Sequence, residues 1–210
     1  MSTPRTFNCK TLQDIIECNK IIAKGGIIIF PTDTVYGIGC NPYLPESVSK
    51  IFAIKKRTFN KPLPILTHNL SGVNKIIHLT EIGKMLAKQY WPGPLTIIGR
   101  KKDNKLPDLI SAGKDTIAIR IPKNSCLLSL LRLCNYLVGT SANISSNEPV
   151  KSADQIINSN LGGFDAILAQ DDNNKPSGKE STIVDISNDK IKIIREGMIK
   201  SKDINLIIKK

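Results

Sequence analysis

Long apolar runs and histidines are scarce in this sequence, and each shortage excludes a class of protein. No apolar run approaches the roughly 18 residues of a membrane-spanning helix, and the N-terminus lacks the apolar stretch of a signal peptide. The two histidines, His68 and His78, have no cysteine or carboxylate at metal-ligand spacing, so a structural metal site is not expected. We therefore expect a cytoplasmic protein that makes no membrane contact.

The cysteines also lack a recognisable pattern. None of the five belongs to a C-x-x-C pair, and their odd number in a chain without an export signal argues against a disulfide framework. They are Cys9, Cys18, Cys40, Cys126 and Cys134. We expect all five to be reduced thiols in the core.

The familiar catalytic and nucleotide-binding signatures are missing as well. No Ser-His-Asp set, paired-carboxylate site or activated cysteine can be assembled, which disfavours covalent catalysis. Gly113-Lys114 and Gly178-Lys179 lack the upstream glycine of a P-loop, and no G-x-G-x-x-G occurs. A bound nucleotide would therefore be held in another way.

Acidic residues are outnumbered by basic ones, which leaves a net charge of +12. Such a charge favours polyanionic partners such as nucleotides or RNA. A chain rich in Ile, Asn and Lys is equally typical of an AT-biased genome, so both explanations stay open. With 210 residues, of which 40% are hydrophobic, the chain can bury a sizeable core, and one domain is the default while two remain possible.

The apolar pattern indicates an α/β fold. A helix capped by Thr11 leads into a central strand at 27–30, whose continuous apolar run is typical of a strand buried on both faces. Further helices are predicted from 45, near 71–77, from 80, from 124 to 134, near 153–157 and at the C-terminus, and further strands at 63–67, 95–99, 116–122, 136–138, 166–169, 181–186 and 191–195. Residues 101–113 are predicted to be a polar connection.

Hydroxyl-bearing loops and cations follow several of these strands. In the turn 31–39 two threonine hydroxyls and the phenol of Tyr36 are expected to face one region, and Gly37 and Gly39 to let the backbone approach a ligand. Lys55-Lys56-Arg57 ends a helix, where cations also simply complement the helix dipole. The polar loop 139–147 is equally an ordinary turn. Together these groups suit phosphoryl or nucleotidyl transfer, which needs positioning and cations more than covalent chemistry.

Seven collinear motifs over roughly residues 10–200 resemble the YrdC-like family of threonylcarbamoyl-AMP synthases. They occupy residues 30–39, 55–57, 91–96, 118–120, 140–143, 180–183 and 194–197. The length is similar to the short, single-domain TsaC-type form. The resemblance implies one YrdC-like domain over 1–210, with a twisted mixed sheet flanked by helices and a basic concave cleft.

The resemblance also implies a reaction. L-threonine, bicarbonate and ATP would give threonylcarbamoyl-AMP and pyrophosphate for threonylcarbamoyl-adenosine modification of tRNA, so the enzyme would be a nucleotidyltransferase. Mg²⁺ is expected on the triphosphate, and tRNA is an expected partner, either directly or through downstream transfer proteins.

By similarity, the family's functional positions fall on ten residues of this chain. The catalytic tetrad around the phosphates would be Lys55, Arg57, Ser141 and Asn143. Further ATP contacts would be Lys61, Thr116 and Arg195, and the threonine contacts Thr34, Arg120 and Ser181, with Arg120 pairing bidentately with the threonine carboxylate.

Three departures from the family pattern are visible. Relatives often have Asn at Lys61, some have His at Leu66, and Thr58-Phe59 replaces a usual proline. The alternatives are a non-catalytic RNA-binding module of the same fold and a carbamoyl-adenylating domain of hydrogenase maturation.

Residues 170–180 carry no large apolar side chain, so we expect a lid that only ligand contacts can order, through Lys175 and Lys179.

Overall fold

Strands and helices alternate along most of the chain. The structure is a computed structural model that describes residues 4–145, 147–170, 176–188 and 190–208. Its strands are β1 (Arg5–Asn8), β2 (Ile28–Phe30), β3 (Gly37–Gly39), β4 (Ile65–Thr67), β5 (Ile77–His78), β6 (Leu95–Lys101), β7 (Thr116–Arg120), β8 (Tyr136–Val138), β9 (Thr140–Ser141), β10 (Ala166–Ala169), β11 (Thr182–Asp185) and β12 (Lys192–Arg195). Its helices are α1 (Leu12–Ala23), α2 (Pro45–Ile54), α3 (Leu70–Ile76), α4 (Glu81–Tyr90), α5 (Asp108–Ser111), α6 (Ser125–Cys134), α7 (Ala153–Ile157) and α8 (Ser201–Ile208). Within these described stretches, no helix has the length and apolar character needed to cross a membrane.

The strands form two mixed sheets, in agreement with the predicted α/β class. The first sheet has the order β1-β10-β2-β3-β9. Its pairs β1–β10 and β10–β2 are parallel, and its pairs β2–β3 and β3–β9 are antiparallel. In the second, β12-β11-β6-β7-β4-β8 follow one another and β5 pairs with β6. The pairs β11–β6 and β4–β7 are parallel, and the remaining pairs are antiparallel.

Strand β2 lies in the middle of the first sheet, as its sequence predicts. Ile28 and Phe30 pack with α1 and α6 on one face, whereas Ile29 joins the larger core cluster on the other. Because both faces are covered by apolar groups, all three side chains are buried and the strand has no polar alternation.

The chain crosses from one sheet to the other at Gly139. Strand β8 pairs with β4, and two residues later β9 pairs with β3. Gly39 allows this close approach, since a Cβ atom there would lie 1.8 Å from the carbonyl oxygen of Val138. The expectation that Gly39 serves ligand approach is therefore wrong, because the neighbouring strand fills that space.

Several short elements were not predicted from the sequence. They are β1, β3, β5 and β9, each of two to four residues, and α5 within the supposed polar connection 101–113. Helix α1 agrees with its prediction, because the Thr11 hydroxyl oxygen accepts a hydrogen bond from the Asp14 amide at 3.3 Å.

The cysteine prediction is wrong in one respect. Cys9 and Cys126 form a disulfide although 117 residues separate them. Cys9 precedes α1 and Cys126 lies in the first turn of α6, and these two helices pack against each other, so the tertiary fold brings the thiols together. Cys18 and Cys40 are free and buried, as expected, and Cys134 is free and half-buried.

Candidate active site

A cavity of about 330 Å³ opens between the two sheets, near the point where the chain crosses. Its walls come from the ends of β2, β4, β6, β7, β11 and β12 and from the strands β3 and β9. Among the described residues, four cations and one carboxylate line it: Arg57, Lys114, Arg120, Arg195 and Glu180. A basic character of the whole concave cleft stays a prediction.

The turn after β2 places two threonine hydroxyls on the wall. The Thr32 hydroxyl donates to the carbonyl oxygen of Val35 at 2.6 Å and accepts from the amides of Thr34 and Val35 at 3.0 and 3.1 Å. The Thr34 hydroxyl lies 2.9 Å from it. Because Thr32 folds the turn onto itself, the side chain of Thr34 is held in one position before any ligand arrives.

Arg120 is fixed from three sides at the end of β7. Its Nη2 lies 2.6 Å from Asp33 Oδ1, its Nη1 donates to the Thr34 hydroxyl at 3.0 Å, and its Nε donates to the Gly93 carbonyl at 2.9 Å. Burial lowers the pKa of Arg120, and the Asp33 carboxylate opposes that effect. The three bonds use three of five N–H donors, so two donors remain for a ligand among the contacts described.

Lys55 lies behind the cavity wall instead of lining it. Its side chain is 1% exposed, and the ammonium donates to the carbonyl oxygens of Ser141 and Asn143 and to Asn143 Oδ1. Burial lowers the pKa of Lys55 to about 8, with a smaller contribution from the charge of Arg57. The ammonium therefore fixes the loop that carries Ser141 and Asn143.

Arg57 reaches the cavity through a local clamp. Its Nη2 donates to the Pro62 carbonyl at 2.8 Å and its Nε to the Lys61 carbonyl at 3.2 Å. Burial lowers the pKa of the Arg57 guanidinium. Lys61 acts here through its backbone, and its exposed ammonium does not line the cavity; the neighbouring Lys56 is exposed as well.

Arg195 closes the wall on the β11–β12 side. Its Nη1 pairs with Glu180 Oε2 at 2.6 Å, while its Nη2 donates to the Ser181 carbonyl at 2.9 Å and contacts the Ser181 hydroxyl at 3.3 Å. The Ser181 hydroxyl also lies 2.9 Å from that of Thr96. A hydroxyl pair and a guanidinium therefore meet at one spot on the wall.

The fold brings most of the ten predicted site residues together. Six line the cavity: Thr34, Arg57, Arg120, Ser141, Ser181 and Arg195. Four do not: Lys55, Lys61, Thr116 and Asn143. Sequence reasoning gave no role to Thr96, Lys114 or Glu180, although Thr96 and Glu180 lie inside recognised motifs; Lys114 carried no signal.

Two expectations about the loops require correction. Tyr36 does not line the cavity: it is buried, and its hydroxyl oxygen accepts from the Gln170 amide at 3.2 Å. In the proposed lid 170–180, residues 171–175, including Lys175, lie outside the described residues. Pro176 is buried, and the amides of Ser177 and Gly178 donate to the carbonyls of Asp33 and Thr34 at 3.1 and 2.8 Å. Ordering by ligand contacts alone is therefore wrong for 176–180.

The described side chains do not form a cluster of metal ligands. Across the described residues, no group of three or more His, Cys, Asp or Glu side chains is placed to hold one.

Comparisons with known proteins concern the family and the fold. A family model named for Sua5, YciO and YrdC and described as "Telomere recombination" matches residues 20–197. A Methanocaldococcus jannaschii protein provisionally named threonylcarbamoyl-AMP synthase is 39% identical over 86% of this chain and 84% of its own. The threonylcarbamoyl-AMP synthase of Pyrococcus abyssi is 32% identical over 89% of this chain, which spans 55% of that relative.

A solved structure extends the comparison to the fold. The crystal structure of P. abyssi Sua5 complexed with L-threonine has a TM-score of 0.90 and 29% identity, with 99% of this chain and 61% of that one covered. The present chain therefore spans little more than half the length of these P. abyssi proteins.

Proposed function

The chain belongs to the Sua5/YciO/YrdC family, and from this membership we propose that it is an L-threonylcarbamoyladenylate synthase. In this reaction the amine of L-threonine takes up bicarbonate and releases water to form a carbamate. A carbamate oxygen then bonds to the α-phosphorus of ATP and pyrophosphate leaves, which makes the enzyme a nucleotidyltransferase. The names of the relatives support this reaction. The expected tRNA partner, the cytoplasmic location and a single domain over 1–210 belong to the same proposal.

The observation that carries the proposal is one cavity with a hydroxyl-and-guanidinium corner and an adjoining cationic wall. Thr34 and Arg120 form the corner, and Arg57 and Arg195 belong to the wall. An amino acid has a carboxylate and a hydroxyl to place, whereas a triphosphate has charge to neutralise. The cavity therefore offers a matching group to each substrate.

We assign L-threonine to the corner formed by Thr34, Arg120 and Ser181. The two remaining N–H donors of Arg120 would bind the threonine carboxylate. The positive charge of Arg120 is already balanced in part by Asp33. The hydroxyls of Thr34 and Ser181 would meet the substrate hydroxyl and amine. The description of the P. abyssi structure as a complex with L-threonine supports a threonine site in this fold.

We assign ATP to the adjoining cationic wall, which meets the threonine corner where Arg195 contacts Ser181. Arg57, Ser141 and Arg195 would contact the phosphates directly, and Lys55 would act by fixing the carbonyls of Ser141 and Asn143. Such prepositioned donors stabilise charge that develops on the transferred phosphoryl group without a covalent intermediate. Lys61 and Thr116 do not line the cavity and are assigned to the outer part of the nucleotide, whereas Asn143, held by Lys55, stays assigned to the region of the phosphates.

Mg²⁺ would enter with ATP. Since the described residues contain no carboxylate or histidine cluster for a metal, the triphosphate oxygens would hold the ion and shield their own charge. Arg57 and Arg195 would supply the remaining neutralisation.

The test is exchange of labelled pyrophosphate into ATP. We expect exchange that requires both L-threonine and bicarbonate, because only the adenylate made from both can be attacked by pyrophosphate. No exchange with all substrates present would contradict the synthase and favour an RNA-binding module. Exchange that depends on carbamoyl phosphate in place of threonine and bicarbonate would favour the domain of hydrogenase maturation.

A further inference from the structure

The proposed reaction gives no role to Glu180. This residue contributes the only carboxylate among the described residues that line the cavity, where it lies with four cations. Asp33, which pairs with Arg120, does not line the cavity. The side chain of Glu180 is 34% exposed, so a ligand in the cavity can reach its oxygen atoms. Of the described lining side chains, Glu180 is therefore the one whose charge would attract a positively charged part of a substrate.

Glu180 lies where the threonine corner meets the cationic wall. Its Oε2 pairs with Arg195 Nη1 at 2.6 Å, and Nη2 of the same guanidinium contacts the Ser181 hydroxyl at 3.3 Å. One planar group therefore bridges the carboxylate and the hydroxyl. Burial lowers the pKa of Lys55 and of Arg57, and the negative charge of Glu180 opposes that effect in both. The charge of Glu180 therefore reaches the regions assigned to both substrates.

The proposed substrate brings one positive charge into this cavity. At neutral pH L-threonine is a zwitterion, and its ammonium and carboxylate are bonded to the same carbon atom. If Arg120 holds the carboxylate and Thr34 the hydroxyl, the ammonium must lie beside that corner. Burial lowers the pKa of Arg120, and the charge of Arg195 adds to that effect, so both cations would repel the ammonium. A carboxylate within reach is needed to offset this repulsion.

We propose that Glu180 binds the ammonium group of the amino-acid substrate and thereby selects substrates with a free α-amine, an assignment that rests on the proposed function. Ser181, the next residue in the chain, would offer its hydroxyl to the same nitrogen. A hydrogen bond between an ammonium and a carboxylate is charge-assisted and stronger than one between neutral groups. The substrate nitrogen would then be held beside Arg195, which is assigned to the phosphates, at the place where the carbamate has to form.

The proposal is tested by isothermal titration calorimetry of the full chain with L-threonine, without ATP or Mg²⁺. Glu180→Gln keeps the shape of the side chain and removes its charge. The variant should bind threonine about tenfold more weakly, the loss expected for a hydrogen bond to a charged group. Glu17→Gln is the matched control, because Glu17 also belongs to an ion pair, is 26% exposed and does not line the cavity. Its affinity for threonine should equal that of the wild-type protein.

Two further ligands identify the group that Glu180 binds. The α-hydroxy analogue of L-threonine keeps the carboxylate and the side-chain hydroxyl and has a hydroxyl in place of the ammonium. Its affinity should be nearly the same for the wild-type protein and for Glu180→Gln. Removal of the Glu180 charge also releases Arg195 from its ion pair, so ATP should bind Glu180→Gln at least as tightly as the wild-type protein. A distorted cavity would instead weaken the binding of every ligand.

Three results would overturn the proposal: a threonine affinity unchanged by Glu180→Gln, equal weakening for threonine and its analogue, or weaker binding of ATP. Failure of the proposed function gives a different result. If threonine binding depends on Glu180 but no pyrophosphate exchange occurs, the protein is not the synthase and the ammonium site stands. The absence of threonine binding by the wild-type protein would overturn both.

Discussion

Two ion pairs at the cavity have the same length and different burial, which allows a matched test of what burial contributes. Arg120–Asp33 and Arg195–Glu180 both measure 2.6 Å. The side chains of the first pair are 7% and 14% exposed, and those of the second are 38% and 34% exposed. We compare Asp33→Asn with Glu180→Gln, since each substitution removes one carboxylate charge and keeps the shape.

The expected losses in the free energy of unfolding follow from how far each ion pair is exposed to water. Asp33→Asn leaves the Arg120 charge buried without its counter-ion, and removal of one partner of such a pair costs about 3–5 kcal/mol. The asparagine oxygen still accepts from Arg120 and from the Lys123 amide, so we place the loss near the lower value, about 3 kcal/mol. Glu180→Gln exposes Arg195 to water that already screens it, and should cost less than about 1 kcal/mol.

Urea unfolding monitored by circular dichroism measures both losses, and an unchanged m value confirms that the unfolding transition is the same. For a chain of this size a loss of about 3 kcal/mol corresponds to a fall in Tm of roughly 6–12 °C. Equal losses from the two variants would refute the reasoning, because burial would then not control the strength of the pair.

Three further predictions concern the same site. Arg57→Ala should lower turnover about 10²–10³-fold, because Arg57 lines the cavity. Lys56→Ala, at the exposed neighbouring residue, should leave turnover unchanged. If both substitutions had similar small effects, the two cations would only complement the helix dipole. Arg120→Lys keeps the charge and loses the planar fork, so the KM for threonine should rise, and an unchanged KM would remove Arg120 from the threonine site. The pKa of Lys55 falls from 10.5 to about 8 on folding, so the unfolded chain binds more protons between those values. Stability should therefore rise with pH across that window by up to about 3 kcal/mol, and urea unfolding should find this gain missing in Lys55→Met.

Local rules were enough to predict much of the fold from the sequence. The continuous apolar run of β2 requires cover on both faces, and Thr11 caps the N-terminus of α1 through a contact three residues away. The resemblance to the family is confirmed by the match over residues 20–197. These features depend on neighbours in the chain or on motifs in a fixed order, so the sequence carries them directly.

The strands β3 and β9 could not be predicted, because the segments Gly-Ile-Gly and Thr-Ser are too short to have a pattern of their own. They become strands because the chain, on leaving β8, meets β3 and pairs with it. The disulfide between Cys9 and Cys126 has the same cause, since only the contact between α1 and α6 brings the two thiols together.

The same distinction between local pattern and tertiary contact applies to the candidate site. The sequence alone determined which cations and hydroxyls the chain contains and, through the motifs, that Arg57, Arg120 and Arg195 belong together. Only the tertiary structure decided that Arg120 is held by Asp33 and that Lys55 faces the 141–143 backbone instead of the cavity. The physical reason is that burial and hydrogen-bond partners depend on which distant segments meet, and spacing along the chain does not specify those contacts.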